Sequence, residues 1–194
     1  MPAGSLDLLK PLLNRYPLQL TISKPRKTKF GDYRFPQGTK PHRISVNGNL
    51  NTYSFLITFL HEFAHLVAFD QFGRKIKPHG EEWQHCFREV SMPFIEASIF
   101  PSKLERAFKQ SLARGHASSA TDLQLLRVLK NYDAEDRNEG LTFVENIEQG
   151  QLFSLNGKIF RRGLKSRKRF RCQDIQTGKE YMVHPLAEVI PHKE

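Results

Sequence analysis

One segment of this 194-residue chain, Asn51–Phe69, constrains the fold more than any other: it has neither Pro nor Gly and is apolar on most sides of a helix. Phe55, Phe59, Phe63 and Leu66 recur at helical spacing, while Ile57, Leu60, Ala64 and Val67 occupy other faces. A helix apolar on nearly every side is a buried helix. Gly73 lies just beyond it as a stop. Yet the same segment contains His61-Glu62-Phe63-Ala64-His65. Burying two imidazoles and a carboxylate without partners costs on the order of 1–3 kcal/mol for each group. The fold must therefore provide partners for polar groups at its centre.

The string matches H-E-x-x-H. Positions i and i+4 lie one turn apart on one helix face, so both imidazoles can reach one metal ion. Zinc with three protein ligands keeps a fourth position for water and lowers its pKa to about 7, and a carboxylate at Glu62 is placed to take that proton. A chain of this composition shows the bare string by accident roughly once in fifty, so the buried helical context carries the argument. A polar cluster satisfied inside a core helix is the alternative.

A third ligand has four nearby candidates, His79, Glu81, Glu82 and His85. His79 precedes Gly80 at the entrance of a second helix, from which a side chain can aim back at the first while the glycine permits close backbone approach. His85 is roughly 240° further round that helix and cannot easily share an ion with His79. The compact pattern with Gly and His soon after the second His is absent, since Phe69, Asp70 and Gln71 stand there. Asp70 and Glu82 are candidates to orient a ligand His, and Tyr33 and Tyr53 to stabilise an oxyanion, with solvated charge and packing as the plainer roles. His42, His116, His184 and His192 show no ligand spacing, and Cys86 reads as a small buried apolar residue.

Around this centre the chain reads as mixed α and β. Ser5 can cap a short helix with Leu6, Leu9 and Leu13 on one face. Strand-like segments follow at Leu18–Ile22, Phe30–Arg34 and His42–Val46, separated by turn residues. Trp83, Phe87 and Val90 give the second helix an apolar face, and Pro93 should kink or end it. Two more helices are expected over Pro101–Arg114 and Thr121–Tyr132, then an acidic linker over 133–149. The last stretch alternates like strands joined by turns at Asn156–Gly157 and Thr177–Gly178. The expected organisation is a domain over 1–132, the linker, and a basic all-β module over 150–194.

The combination of HEFAH, a gap and HGEEW, preceded by strands containing KFGDYR and HRISVN, resembles the SprT-like zinc metallopeptidases. The likeness covers approximately residues 5–115. That family includes the Spartan proteases, which cleave proteins crosslinked to DNA. The resemblance implies His61, His65 and His79 as ligands of one Zn2+ and Glu62 as the catalytic general base and acid. It also implies an α+β zincin-like core, with helices on a small three-stranded sheet and H-E-x-x-H on the central helix. A substrate strand is then expected to pair beside His42–Val46. Many members continue into a cysteine zinc ribbon, but this chain has only Cys172 there, so the C-terminal module is expected to be ribbon-like or a small barrel, without zinc.

Charge adds a partner. The chain carries +10 in all, and residues 150–194 hold ten basic and four acidic residues. Lys158, Arg161, Arg162, Lys165, Arg167, Lys168, Arg169 and Arg171 fall within fourteen residues, a candidate nucleic-acid surface. Phe160 and Phe170 among them either stack on bases or fill the module's own core. Lys24, Arg26, Lys27 and Lys29 are either solvated charge or an extension of that surface. No export signal or membrane span is evident, and two distant cysteines fit a reducing cytoplasm, with nucleoid association as a variant. The expected function is a metalloendopeptidase recruited to DNA, cutting bound or crosslinked proteins in stress or repair. The alternatives are a non-catalytic zinc-containing nucleic-acid or transcription-associated protein, and a zinc hydrolase unrelated to nucleic acid.

Overall fold

The structure is a computed structural model describing residues 1–26, 28–115, 122–133 and 140–192; Lys27, His116, Thr121 and residues 134–139 of the acidic linker lie outside the described residues. The chain forms two units, Met1–Asp133 and Ala134–Glu194. The first contains α1 (Ser5–Arg15), β1 (Leu18–Ser23), β2 (Gly31–Arg34), β3 (His42–Asn47), α2 (Thr52–Phe72), α3 (Glu81–Glu96), α4 (Ser102–Ala113) and α5 (Leu123–Lys130). The second is all β apart from a 3-10 turn at Val144–Asn146. Its strands are β4 (Thr142–Phe143), β5 (Leu152–Leu155), β6 (Lys158–Ser166), β7 (Arg169–Asp174), β8 (Glu180–Val183) and β9 (Glu188–Pro191). Among the described residues no helix is long and apolar enough to cross a membrane.

α2 is the axis of the first unit. The Asn51 side chain accepts a hydrogen bond from the Ser54 N–H at 2.8 Å and so satisfies one of the free donors at the helix start. Its amide nitrogen also donates to the Leu129 carbonyl and to Asp133, at 3.0 and 2.6 Å, fixing α2 to the end of α5. Gly73, at φ 74, ends the helix with its N–H on the Phe69 carbonyl. Between these ends every residue from Leu56 to Ala68 except His65 is buried, as continuous apolarity demands. α3 packs along one side of α2, while β2 and β3 cover another.

The small sheet has the order β1-β3-β2, with β1 parallel and β2 antiparallel to β3. β3 is therefore central, with Ile44 and Val46 buried, whereas β1 is largely exposed. The expected pairing of a substrate beside His42–Val46 is thereby excluded, because both edges of that strand are taken. Arg26 ties the approach to β2 onto β3, its guanidinium donating to Asn47 and Ser45 at 2.8 and 3.0 Å.

Two helix punctuation signals act differently from expectation. Ser5 does not cap α1: it is the first helical residue, buried, and its hydroxyl donates to the Pro2 carbonyl, while Gly4 occupies the cap with φ 73. Leu6 accordingly points outward and Leu9 inward. Pro11 and Pro93 both lie inside helices, where neighbouring burial outweighs the one hydrogen bond each removes.

In the second unit, β5, β6, β7 and β8 form an antiparallel meander, and β9 returns beside β5. Asn156 and Gly157 both take positive φ, the backbone a two-residue hairpin turn needs. β6 runs on to Ser166, so Arg167 and Lys168 form the next turn rather than a strand. Phe153, Phe160, Phe170 and Cys172 build the core, which answers the open choice for Phe160 and Phe170. Asp174, buried, accepts from the Gln176 and Thr177 N–H groups and from Lys158.

Replacing Asn51 by Ala removes the α2 cap and both tethers to α5. Denaturant unfolding should show a loss of about 2 kcal/mol, larger than a cap alone contributes. A loss below about 0.5 kcal/mol would contradict the anchoring role.

Candidate functional site

His61 and His65 project from the same side of α2, one turn apart, as their spacing dictates. His79 reaches them from the loop before α3 by adopting φ 60, a left-handed backbone that a non-glycine residue takes at a cost of about 1–3 kcal/mol. Two contacts hold this bend. The Gln84 carboxamide donates to the His79 carbonyl at 3.1 Å, and Trp83 packs beneath all three imidazoles, with ring centroids 4.7–5.2 Å away.

The result is a convergence of three ring nitrogens. His79 Nε2 lies 3.1 Å from His65 Nε2 and 3.2 Å from His61 Nε2. Two nitrogens each bonded to one tetrahedral zinc at about 2.0–2.1 Å stand about 3.3 Å apart, so this spacing fits a shared ion. The three form a group able to hold one metal ion, and no other such group occurs among the described residues. Burial, then mutual repulsion, holds the His61 imidazole well below the ordinary His range and His65 at about 4; burial also lowers His79. All three are thus neutral near pH 7, the form in which imidazole is a ligand.

Glu62 is buried under β2. A Cβ added at Gly31 would come within 2.7 Å of Glu62 Cγ and 2.8 Å of Thr58 Cγ2, so only glycine lets the strand lie this close. Burial is the main force raising the Glu62 carboxyl to about 7, assisted by Asp32 and opposed by Arg26, Lys29 and the Tyr33 N–H. Asp32 is itself paired with Lys29 and Arg34, at 2.6 and 2.9 Å.

The remaining candidates separate clearly. Tyr33 stacks on both His65 and His42 and shares a 2.9 Å hydrogen bond with His42 Nδ1, so its hydroxyl is engaged away from the cluster. Tyr53 packs against Phe100 and Tyr132. Asp70 and Glu82 are exposed, and His85 pairs with Glu89 at 3.4 Å. Reading the sequence missed Gly31 and Gln84. A lone Gly inside a strand signals close backbone approach and could have flagged the first; nothing local marks the second.

Of the eight candidate nucleic-acid-binding residues, Lys158 is bound to Asp174 at 3.2 Å, and Arg162 lies over the Phe170 ring at 4.2 Å, half-buried. Arg161, Lys165, Arg167, Lys168, Arg169 and Arg171 are exposed. Arg161, Lys165 and Arg171 gather round the β6 bulge at Gly163, where a Cβ would meet the Arg171 carbonyl at 2.6 Å. In the first unit, Arg26 and Lys29 have structural partners, so they do not extend a free basic surface.

The model of the SprT-like family matches residues 11–105, which contain the whole His cluster and Glu62. Residues 11–105 form a domain of the SprT-like family. Protein SprT of Pseudomonas paraeruginosa is 54% identical over 81 residues, covering 41% of this chain and 48% of that protein. Protein SprT of Pseudomonas aeruginosa is 39% identical over 66 residues, covering 34% and 39%. Protein SprT of Pseudomonas fluorescens is 56% identical over 41 residues, covering 21% and 25%. The chain thus spans less than half the length of these relatives. No solved structure matches it significantly.

The depressed imidazoles have a measurable consequence. Unfolded His titrates near 6.5, above the folded values, so on acidification the unfolded state binds protons first. Stability present above about pH 6.5 should decline towards about pH 4. Thermal unfolding of chelator-treated protein should show this decline, shallower in His65→Asn; an equal slope in both would contradict the buried cluster.

Proposed function

We propose that the chain is a zinc-dependent metalloendopeptidase with a zincin-like core, brought to nucleic acid by its basic C-terminal unit and acting on DNA-bound or crosslinked proteins. The convergence of the three Nε2 atoms beside a buried carboxylate is the observation that carries this reading. His61, His65 and His79 would hold the ion. A zinc ion there supplies Lewis-acid polarisation of a peptide carbonyl and lowers the pKa of a water in its fourth position.

The chain's own residues supply the rest. Glu62, raised towards neutrality, takes the proton of the attacking water and returns it to the leaving amine, one carboxylate serving as base and then acid. A cation nearby draws that pKa back down and favours the basic form. β2, the edge strand over Glu62, has an unpaired side on which an extended polypeptide can align by main-chain hydrogen bonds. Trp83 and Gln84 keep His79 in place.

Two observations favour this over a purely structural zinc. Glu82 and His85 are exposed and outside the His group, so no fourth protein ligand is at hand among the described residues. A structural site also has no need of a buried carboxylate beside it. For nucleic acid, the exposed Arg and Lys of β6 and β7 suit phosphate contact, and burial of Phe160 and Phe170 removes the stacking mode. The surface is accordingly expected to bind backbone charge without reading sequence.

The test is cleavage of a protein crosslinked to DNA. The zinc-loaded chain should cut it, Glu62→Gln should be slower by about 10²–10⁴-fold, and a chelator should abolish the activity. Arg161→Glu with Arg171→Glu should weaken DNA affinity and flatten its logarithmic salt dependence by about 2, while leaving cleavage of free unfolded protein intact. If wild type, Glu62→Gln and chelated protein behave alike, the peptidase reading is wrong. Unchanged DNA affinity in the double variant would remove the nucleic-acid role.

A further inference from the structure

Beside the His cluster lies an open cavity of about 130 Å³. Phe35, Phe69, Ile76 and Pro78 form its sides, and His65 and Trp83 are shared with the cluster. The lining also includes Tyr33, the last residue but one of β2. Phe35 and Phe69 stack nearly parallel, 5.8 Å apart, giving a firm aromatic wall. Arg74 closes the rim, its guanidinium 4.3 Å above the Phe35 ring with a 3.5 Å contact to the Pro36 carbonyl.

We propose that this cavity receives one uncharged apolar side chain, of leucine to phenylalanine size, from an extended polypeptide aligned along β2, and thereby selects where that polypeptide is cut. The inference rests on the peptidase reading above and adds its specificity. An apolar cavity of about 150 Å³ in another protein accommodates benzene, so this volume suits one side chain of that size. Its place against His65 puts the side chain next to the bond presented to the His cluster. The Arg74 guanidinium at the rim repels a Lys or Arg side chain, and a carboxylate would lose its hydration among Phe35, Phe69, Ile76 and Pro78 without gaining a buried partner. Successive residues of an extended strand point to opposite sides, so one subsite of this kind reads one fixed position relative to the cut.

The experiment uses the full chain with zinc and a set of unfolded proteins, with cleavage sites mapped by mass spectrometry. Leu, Met or Phe should be enriched about tenfold over Ala, Asp and Lys at one position. Ile76→Trp, which fills the cavity, should shift that preference to Gly or Ala while cleavage continues. A parallel measurement does not depend on turnover: methyl NMR shifts of Ile76 in metal-free protein titrated with N-acetyl-leucinamide or with N-acetyl-aspartamide. Saturable shifts with the first alone are expected. Cleavage without positional enrichment, or enrichment of an acidic residue, overturns the subsite and leaves the peptidase reading standing. Absence of cleavage defeats the peptidase reading, and the titration then decides the cavity: selective binding retains it as an apolar side-chain site, and no selective shift overturns it.

Discussion

Two imidazoles and a carboxylate stand on a helix buried on nearly every side, and the N-terminal unit is arranged around the cost of keeping them there. Neutral imidazoles lower that cost, since burial holds His61, His65 and His79 below their usual pKa values. The rest is met by shape. β2 approaches α2 closely enough to cover Glu62 only because residue 31 lacks a side chain. Trp83 underlies the three rings, and Gln84 fastens the left-handed turn that brings His79 across. These features are costly or neutral for folding when taken singly, and they make sense together if the three nitrogens share an ion.

Where local pattern decided the outcome, the residues could be read in advance. Continuous apolarity without Gly or Pro specifies α2, and Asn156–Gly157 specifies a hairpin turn. The i,i+4 spacing puts His61 and His65 together, and the His79-Gly80 entrance to α3 supplies the third ring. Where long-range packing decided, reading failed. Strand order is absent from any single segment, so β3 could not be recognised as central until its partners on both sides were seen. Ser5 has the chemistry of a cap, but burial draws it into the helix and leaves the cap to Gly4. Pro93 carries a local stop signal that the packing of Phe94 and Ile95 overrides.

The basic segment shows the same division. In one dimension its eight cations form a single cluster. In the sheet, alternation separates them: Lys158 and Arg162 turn towards Asp174 and Phe170, while Arg161, Arg169 and Arg171 face outward. Linear density of charge overstates the charge offered to a partner, since cations tied to Asp174 or Phe170 already have partners. The interleaved phenylalanines likewise belong to the interior of the second unit, which leaves phosphate attraction as the physical basis for any contact with nucleic acid.

The central claim is a three-imidazole metal centre with an open coordination position, and X-ray absorption at the zinc edge combined with metal analysis tests it most directly. The account predicts one zinc per chain, three imidazole nitrogens at about 2.0–2.1 Å and one solvent oxygen, with the histidine signal lost in His79→Ala. A sulfur ligand, a fourth protein ligand, or a chain that retains no zinc after careful loading would contradict it.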